Sequence, residues 1–346
     1  MTGVVGPPGQ QGPAVVALGG GHGLSATLSA LRHLTERITA VVTVADDGGS
    51  SGRLRDELDV LPPGDLRMAL AALCDDTDWG RTWRDVLQHR FSSLGPLDQH
   101  ALGNLLIAAV WELLDDPVAG LDLVGRLLGA RGRVLPMACV PLQIEAQVRR
   151  LDGGTALVVG QSAVARTADP IERVRLTPER PAACREAVEA IGAADVIVLG
   201  PGSWYTSVLP HLLVPDLLDA VLQAEAQTIV TLNIAPEESG ETAGMRAFEH
   251  LEVLRRHAPG LLVDAVLADP SSVDDLDRLD ELAGSMGARL LVRQVGRGDG
   301  SARHDPLRLA AALRDLTEGV LGDVDSPAPA VTRRAGGSVP PTRDTR

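Results

Sequence analysis

The sequence contains no lysine, and all 32 of its basic residues are arginine. A Walker-type phosphate loop needs its lysine, and pyridoxal, biotin and lipoyl chemistry need a lysine amine, so these classes of protein are excluded. Aromatic residues make up only 2% of the chain, although 45% of its residues are hydrophobic. The core must therefore be built mainly from leucine, valine, alanine and isoleucine.

Cysteines, basic clusters and long apolar runs are also scarce. Cys74, Cys139 and Cys184 lie far apart in sequence and form no CxxC pair, which indicates buried thiols in a reducing cytosol. No apolar stretch approaches the length of a spanning helix, so we expect no membrane insertion. With a net charge of −14 and no long basic run, nucleic acid is not an expected partner. We predict a cytoplasmic protein.

Apolar strand-like runs alternate with helical patterns along most of the chain. Residues 14–18 and 38–44 predict two strands with a leucine-periodic helix between them, which makes a βαβ unit. Later segments repeat this alternation, which predicts an α/β fold with a Rossmann-like, doubly wound and mainly parallel sheet. These later strands are predicted at residues 196–199, 228–232, 261–267 and 289–292.

A smaller β-containing segment and two irregular ends complete the predicted organisation. Strand-like runs at 134–140, 144–149 and 156–160 have little helix between them and predict an antiparallel insertion at about 131–176. Residues 45–64 read as a polar, glycine-rich loop of functional length. We therefore predict one α/β domain over residues 14–320, a flexible leader at 1–13 and a disordered tail at 321–346.

In doubly wound sheets, ligands bind beyond the carboxyl ends of the strands. The first loop in such a position is Gly19-Gly20-Gly21-His22-Gly23. Glycines let the backbone approach a phosphate closely, and the following helix offers free N–H groups and its positive dipole end. The loop lacks full GxGxxG spacing, so a tight strand–helix turn remains the alternative. The candidate phosphate-binding residues here are Gly20, Gly21, His22 and Gly23.

The second loop begins with Asp46 and Asp47, directly after the second strand. An acidic residue at this position typically accepts hydrogen bonds from ribose hydroxyls. The carboxylate pair could alternatively hold a divalent metal such as Mg²⁺ or form a solvated turn, and we favour the ribose contact. Ser50, Ser51 and Arg53 follow as candidate donors to phosphate oxygens.

Later strand and helix ends supply further candidates, each with packing or capping as the alternative. Asp65 follows a Pro-Pro-Gly turn and either caps a helix or belongs to the site. The sequence shows no HExxH, no GxSxG and no metal-ligand spacing of its histidines, so no catalytic residue is assigned. The remaining candidate ligand-binding residues are Asn104, Gly202, Ser203, Tyr205, Thr206 and Asn233.

In this order, the motifs resemble the YvcK-type gluconeogenesis factor family, its actinobacterial members in particular, over about residues 14 to 320. That family is similar in fold to the CofD-like phospholactate transferases. The blocks that carry the resemblance are Gly19–Gly21, Val44–Arg55, Pro62–Asp65, His100–Leu106, Leu199–Ser203, Tyr205–Ser207 and Gly240–Thr242.

The resemblance implies a cytoplasmic UDP-sugar binder that requires no cofactor and has no firm enzymatic activity. It also implies a homodimer, a role in growth on gluconeogenic carbon sources and in cell shape, and a protein target in cell-wall precursor synthesis. Three positions depart from the usual pattern. His22 stands where relatives usually have threonine, Met68 where many have asparagine, and Glu237-Glu238-Ser239 where Gln-Pro often precedes the Gly-Glu-Thr block.

We therefore predict a non-catalytic, nucleotide-sugar-binding regulator. The main alternative is a CofD-like phosphotransferase in which Asp46 and Asp47 carry Mg²⁺ while an acceptor hydroxyl attacks a diphosphate. A nicotinamide dehydrogenase is a third option, but its fingerprint is incomplete and the chain offers no obvious base at a hydride site.

Overall fold

The structure, a computed structural model, describes residues 12–150, 152–234 and 240–318. The predicted tail at 321–346, nearly all of the predicted leader and the Glu237-Glu238-Ser239 loop lie outside these residues. In chain order the strands are β1 (Val15–Gly19), β2 (Ile38–Val42), β3 (Arg133–Pro136), β4 (Gln143–Arg149), β5 (Thr155–Val159), β6 (Ile171–Thr177), β7 (Val196–Leu199), β8 (Gln227–Thr231), β9 (Ala265–Ala268) and β10 (Arg289–Val292).

Helices connect most of these strands. A π-helix, Trp204–Val208, and a 3₁₀ turn, Pro270–Ser272, supplement the α-helices. The α-helices are α1 (Gly21–Leu31), α2 (Gly49–Leu58), α3 (Gly64–Leu73), α4 (Asp78–Gln88), α5 (Leu102–Leu114), α6 (Pro117–Leu128), α7 (Gln161–Arg166), α8 (Arg185–Gly192), α9 (Leu209–Leu212), α10 (Pro215–Gln223), α11 (Ala247–His257), α12 (Leu276–Ser285) and α13 (Pro306–Glu318).

The main sheet runs β10-β9-β8-β7-β1-β2-β3, and every pairing in it is parallel. Strand β1 lies near the centre, where Val15 is in register with Ile38 on one side and Val196 on the other. From β1 the chain builds outward through β2 and β3, then returns to add β7 on the opposite side of β1. The predicted doubly wound parallel sheet is therefore confirmed, with its switch point between β1 and β7.

The pattern of buried apolar side chains accounts for β1 as a central strand and for the position of α1 after it. All five residues of β1 are buried, as expected for a parallel strand that is covered on both faces. In α1, Leu24, Leu28 and Leu31 recur at helical spacing and are buried. This stripe packs α1 against α3 and α13, so the start of α1 is fixed at the carboxyl edge of the sheet.

The small antiparallel sheet has the order β5-β4-β6, and its boundaries differ from the prediction. The predicted strand at 134–140 is β3, which ends at Pro136 and pairs in parallel with β2 in the main sheet. The third strand of the small sheet is β6, whose alternating burial pattern is typical of a half-exposed strand. The small sheet therefore begins at Gln143 and ends at Thr177.

The segment predicted as a long loop at 45–64 contains α2 instead. Its polar composition hid the helix, because α2 buries only Leu54 and three small residues at its start. The predicted strand at 261–267 is likewise shorter, since β9 begins at Ala265. Across the described ranges, no helix combines the length and apolarity that crossing a membrane would need.

Candidate functional site

Two glycine turns meet at the switch point of the main sheet. The first glycine turn, Gly20–Gly23, joins β1 to α1, and the second glycine turn, Gly200–Gly202, follows β7. A Cβ atom on Gly23 would collide with the carbonyl oxygen of Pro201 and lie 2.7 Å from the Cα atom of Gly202. Glycine is therefore required at position 23, because the two turns touch there.

Asn233, which follows β8, holds the second glycine turn from the other side. The Gly202 N–H donates to Asn233 Oδ1 at 2.9 Å, and Asn233 Nδ2 donates to the Gly202 carbonyl at 3.1 Å. This reciprocal pair of hydrogen bonds fixes the peptide backbone of the turn. Three neighbouring strand ends thus form one rigid edge.

A cleft of about 570 Å³ opens at this edge, in the volume range of small-molecule pockets. The start of α1 forms one wall, and the loop between β10 and α13, here termed the arginine loop (residues 293–305), forms another. Helix α1 begins without a side-chain cap on Gly20, as in anion-binding helix starts. The cleft is lined by Gly20, Gly21, His22, Gly23, Ser25, Ala26, Ser29, Asp46, Asp65, Gln161, Pro201, Gly202, Ser203, Ser207, Asn233, Ile234, Arg297, Ala302, Arg303, His304 and Pro306.

Two carboxylates reach this cleft from different elements. Asp46 follows β2, and its Oδ1 accepts a hydrogen bond from the Gly48 N–H at 3.0 Å. Asp65 lies in the first turn of α3 so close to the first glycine turn that a Cβ atom on Gly20 would be 2.5 Å from its Oδ2. The glycine at position 20 therefore leaves room for the Asp65 carboxyl.

The pKa of the Asp65 carboxyl is unusually high. Burial and the neighbouring charge of Asp46 raise the pKa of Asp65 to about 7, and the Gly21 N–H and Arg67 offset only part of this rise. Asp65 is half-buried and lines the cleft beside the first glycine turn. Such a perturbed carboxyl in a cleft is characteristic of functional sites. Asp65, left open in the sequence as cap or site, is one of the residues that line the cleft.

The arginine loop supplies residues that the sequence patterns did not identify. Arg297 and Arg303 are exposed and line the same cleft as the start of α1, so they add two cations to it. His304 is buried beside them, and burial lowers its pKa to about 4, so its ring is neutral near pH 7. A signal was available, since Gly-Arg-Gly-Asp-Gly-Ser follows a predicted strand in the same way as the other loops.

The candidate residues divide into two groups. Of the fifteen, the structure brings eight to the cleft wall: Gly20, Gly21, His22, Gly23, Asp46, Gly202, Ser203 and Asn233. The remaining seven do not line the cleft: Asp47, Ser50, Ser51, Arg53, Asn104, Tyr205 and Thr206.

Ser50 and Asn104 form a buried network behind the cleft. Asn104 Nδ2 donates to Ser50 Oγ at 3.1 Å, and the Ala101 N–H donates to the same oxygen. The Ser50 hydroxyl lies 3.0 Å from His100 Nδ1, and burial lowers the pKa of His100, which fits a neutral ring that accepts this proton. Arg67 Nε donates to Asn104 Oδ1 at 2.9 Å. These side chains brace α2 against α5.

Ser51, Arg53 and Asp47 also act as braces in this structure. Ser51 Oγ accepts from the Gly64 N–H at 3.0 Å, which ties α2 to the start of α3. The Arg53 guanidinium donates to two backbone carbonyls in the loop before α5. Asp47 Oδ1 accepts from the Ser162 N–H at 2.8 Å and thus satisfies the start of α7. The predicted phosphate donors Ser51 and Arg53 are therefore engaged elsewhere, as is Ser50.

Tyr205 and Thr206 belong to the core. Both are buried in the π-helix, and their N–H groups lie 3.0 and 3.3 Å from Glu241 Oε1. The Tyr205 ring packs edge-on against His257 rather than offering a surface to a sugar. The Gly-Glu-Thr block thus contributes Glu241 to hold the chain after the second glycine turn, a role that its sequence alone did not indicate.

The fold and the cleft together define a doubly wound α/β protein with a ligand-sized cleft at its switch point. The model of the family described as "2-phospho-L-lactate transferase CofD" matches residues 15–285. A crystal structure of a UPF0052 family protein from Bacillus halodurans shares the fold, with a TM-score of 0.79 and 36% identity. The match covers 88% of this chain and 99% of that one.

Similar proteins of known name indicate which family of CofD-like proteins the chain belongs to. The gluconeogenesis factor of Bacillus subtilis (strain 168) is 37% identical over 320 residues, which cover 88% of this chain and 98% of that protein. A Mycobacterium leprae (strain TN) protein, whose name carries the same term, is 51% identical over 326 residues, covering 92% and 89%. The chain belongs to the gluconeogenesis factor (YvcK) family within the CofD-like proteins.

Proposed function

We propose that this protein is a regulator that binds a UDP-sugar in the switch-point cleft and leaves it chemically unchanged. The observation that carries the proposal is the placement of the uncapped start of α1 in one cleft with Asp46 and two exposed arginines. A helix start and arginine side chains favour a diphosphate, and a carboxylate at the end of the second strand favours a ribose.

Each part of the ligand has a counterpart in the cleft. The diphosphate rests on the backbone of Gly21–Gly23 and on the dipole of α1, with Arg297 and Arg303 across from it. Asp46 accepts hydrogen bonds from the ribose hydroxyls. Ser203 and Asn233 meet the far end of the ligand. The chain carries a formal net charge of −14, so these two arginines and the helix dipole supply the local attraction that an anionic ligand needs.

The biological setting in this proposal comes from the family. Relatives carry the name gluconeogenesis factor, and we extend that role to this chain. The protein then acts in the cytoplasm, as a homodimer, on growth and morphogenesis with gluconeogenic carbon sources. It reports UDP-sugar supply to a protein target in cell-wall precursor synthesis and requires no cofactor for binding.

Calorimetric titration of the purified protein tests the binding step. We expect saturable binding of UDP-N-acetylglucosamine without Mg²⁺, and weaker or no binding of NAD and GDP. Phosphorus NMR of the same mixture should show an intact diphosphate after prolonged incubation. Absence of UDP-sugar binding, combined with Mg²⁺-dependent binding of GDP, would overturn the proposal.

Two adjacent aspartates provide a matched pair of variants. Asp46→Asn should weaken UDP-sugar binding about tenfold, because it replaces a charged acceptor of ribose hydroxyls by a neutral one. Asp47→Asn makes the same chemical change at a carboxylate that faces α7 instead of the cleft, and should leave affinity unchanged. Equal losses in both variants would contradict a ribose contact at Asp46.

A CofD-like phosphotransferase is the second candidate function, and one observation favours it. Asp46 and Asp65 both line the cleft, and the charge of Asp46 contributes to the raised pKa of Asp65. Together with phosphate oxygens, they fit the oxygen ligands that Mg²⁺ prefers. In the described parts of the chain, however, no group of three or more metal-ligating side chains occurs. Mg²⁺-dependent cleavage of a nucleotide diphosphate, lost in Asp65→Asn, would establish this function instead.

A further inference from the structure

Cys139 and Cys184 are neighbours in the folded protein, although 44 residues separate them in the chain. Ala138 and Ala183 form an isolated antiparallel bridge, and the Cys184 N–H donates to the Met137 carbonyl at 3.1 Å. Alternate residues share a face in extended chains, so Cys139 and Cys184 lie diagonally across this bridge on one side. Each of these two thiols therefore affects the pKa of the other.

The two thiols have different surroundings. Cys139 is exposed, whereas Cys184 is fully buried at the start of α8. The sequence-based expectation of buried thiols is therefore wrong for Cys139. Cys184 Sγ also lies 3.4 Å from Glu186 Oε2, and this carboxylate favours the protonated thiol. The neighbouring Cys184 thiol lowers the pKa of Cys139, although burial and the charges of Glu186 and Asp116 oppose this effect.

An exposed thiol beside a buried one is the arrangement expected for a peroxide-attacking cysteine and its resolving cysteine. An accessible thiol with a lowered pKa reacts first with an oxidant, and a protected thiol beside it then completes a disulfide. The third cysteine, Cys74, is buried on its own and has a raised pKa because of burial, so it lacks both properties.

We propose that Cys139 and Cys184 form a peroxide-reactive dithiol that closes to an intramolecular disulfide. In the first step, the Cys139 thiolate attacks hydrogen peroxide, gains one oxygen as sulfenic acid and releases hydroxide, which takes up the proton that the thiol lost. In the second step, the Cys184 sulfur attacks the Cys139 sulfur, the S–S bond forms and water leaves with the Cys184 proton. Two thiols and one peroxide thus give one disulfide and two waters. The disulfide ties the connection between β3 and β4 to the start of α8.

Peptide mapping of the full chain tests this proposal directly. The reduced protein is treated with a small excess of hydrogen peroxide, alkylated with N-ethylmaleimide under denaturing conditions and digested with trypsin. We expect peptides 134–149 and 176–185 to appear as one cross-linked species, two hydrogen atoms lighter than their sum. Dithiothreitol should restore both alkylated peptides, and Cys74 should remain a free thiol throughout. An alternative product, Cys139 oxidised to sulfinic acid with Cys184 still alkylated, would overturn the proposal.

Two variants separate the roles of the thiols. In Cys184→Ala, the sulfenic acid of Cys139 should persist and react with dimedone. The pH midpoint of Cys139 alkylation should rise, because the neighbouring thiol that lowers the pKa of Cys139 is gone. In Cys139→Ala, the same peroxide treatment should leave Cys184 reduced. A disulfide between two copies of the chain through Cys139, seen as a dimer on a non-reducing gel of the unmodified sequence, would contradict the intramolecular assignment.

Discussion

Asp65 lines the cleft, whereas Asp269 holds the start of the arginine loop, and the two surroundings shift the pKa of the same kind of side chain in opposite directions. Asp269, just after β9, accepts hydrogen bonds from the N–H and hydroxyl of Ser271 and from the N–H groups of Val295 and Gly296, at 2.7 to 2.9 Å. Burial alone would raise its pKa, but these hydrogen bonds outweigh burial and lower it. The charge of Asp269 is therefore part of the scaffold, and it anchors the start of the arginine loop.

Asp65 receives no comparable compensation. Burial and Asp46 raise its pKa to about 7, so the folded protein disfavours its charge. The raised pKa means that the ionised Asp65 destabilises the folded protein. A carboxyl kept beside an uncapped helix start despite this loss of stability is better explained by ligand binding than by folding. The comparison indicates two roles for a carboxylate here. One that accepts several hydrogen bonds stabilises the fold around the cleft, whereas one with few donors is available to a ligand.

The largest expected effect is a gain in stability at Asp65. Its folded-state pKa is above its unfolded value, so its contribution to stability is complete below about pH 4 and is lost as pH rises through 7. Asp65→Asn cannot ionise, and should raise the free energy of unfolding at pH 8 by roughly 2–4 kcal/mol, the lower figure allowing for water in the cleft. Urea denaturation at pH 5 and pH 8 measures this gain, which should shrink at pH 5. An equal effect at both pH values would remove the contrast with Asp269.

The same substitution at Asp269 should have the opposite sign. Asp269→Asn offers one acceptor oxygen and an NH₂ group to donors that now share two oxygens, and should cost about 2 kcal/mol at pH 7. The folded-state pKa of Asp269 is lowered, so its contribution is present above the unfolded pKa and is lost as pH falls through the folded value. The loss should therefore diminish in acid. Urea denaturation from pH 7 down to pH 3 checks this, and a constant loss would show that charge plays no part.

Much of this arrangement could be predicted from local patterns. Alternating strands and helices predict the doubly wound sheet, and parallel strands bring their carboxyl ends to one edge. The first glycine turn, Asp46 and Asn233 lie at that edge, because each follows the end of a strand. Position in sequence relative to a strand end was therefore sufficient for these residues.

The directions in which side chains point, and the burial of individual side chains, could not be predicted from such local patterns. Ser50 and Asn104 point at each other because α2 packs against α5, and no spacing within 45–64 reveals which face of that helix is inward. The raised pKa of Asp65 depends on its burial and on the charge of Asp46, and both arise only in the folded chain. Cys139 and Cys184 meet across a single β-bridge, which no CxxC-type pattern signals.

A smaller effect is expected at the two cations of the arginine loop, and it concerns ligand affinity. Arg297→Gln and Arg303→Gln should each weaken UDP-sugar binding about tenfold, equivalent to about 1.4 kcal/mol, because each removes a charged donor to phosphate oxygens. Both side chains are exposed, so the free energy of unfolding should not change. Arg314→Gln, an exposed arginine on α13 outside the cleft, is the matched control for calorimetric titration. Unaltered affinity in both loop variants would leave the α1 start as the sole anion site.

The smallest effect is expected at Ser271, which tests whether the Asp269 side of the cleft is purely structural. Ser271→Ala removes the hydroxyl that lies 2.7 Å from Asp269 Oδ1, while the three backbone donors to Asp269 remain. The free energy of unfolding should fall by about 1 kcal/mol, the usual contribution of one hydrogen bond, as measured by urea denaturation at pH 7. UDP-sugar affinity should be unchanged, because those donors still anchor the start of the arginine loop. A drop in affinity as large as that of Arg303→Gln would mean that the arginine loop needs every hydrogen bond at Asp269 to position its arginines. Asp269 would then contribute to ligand binding as well as to stability, and its role would differ less from that of Asp65.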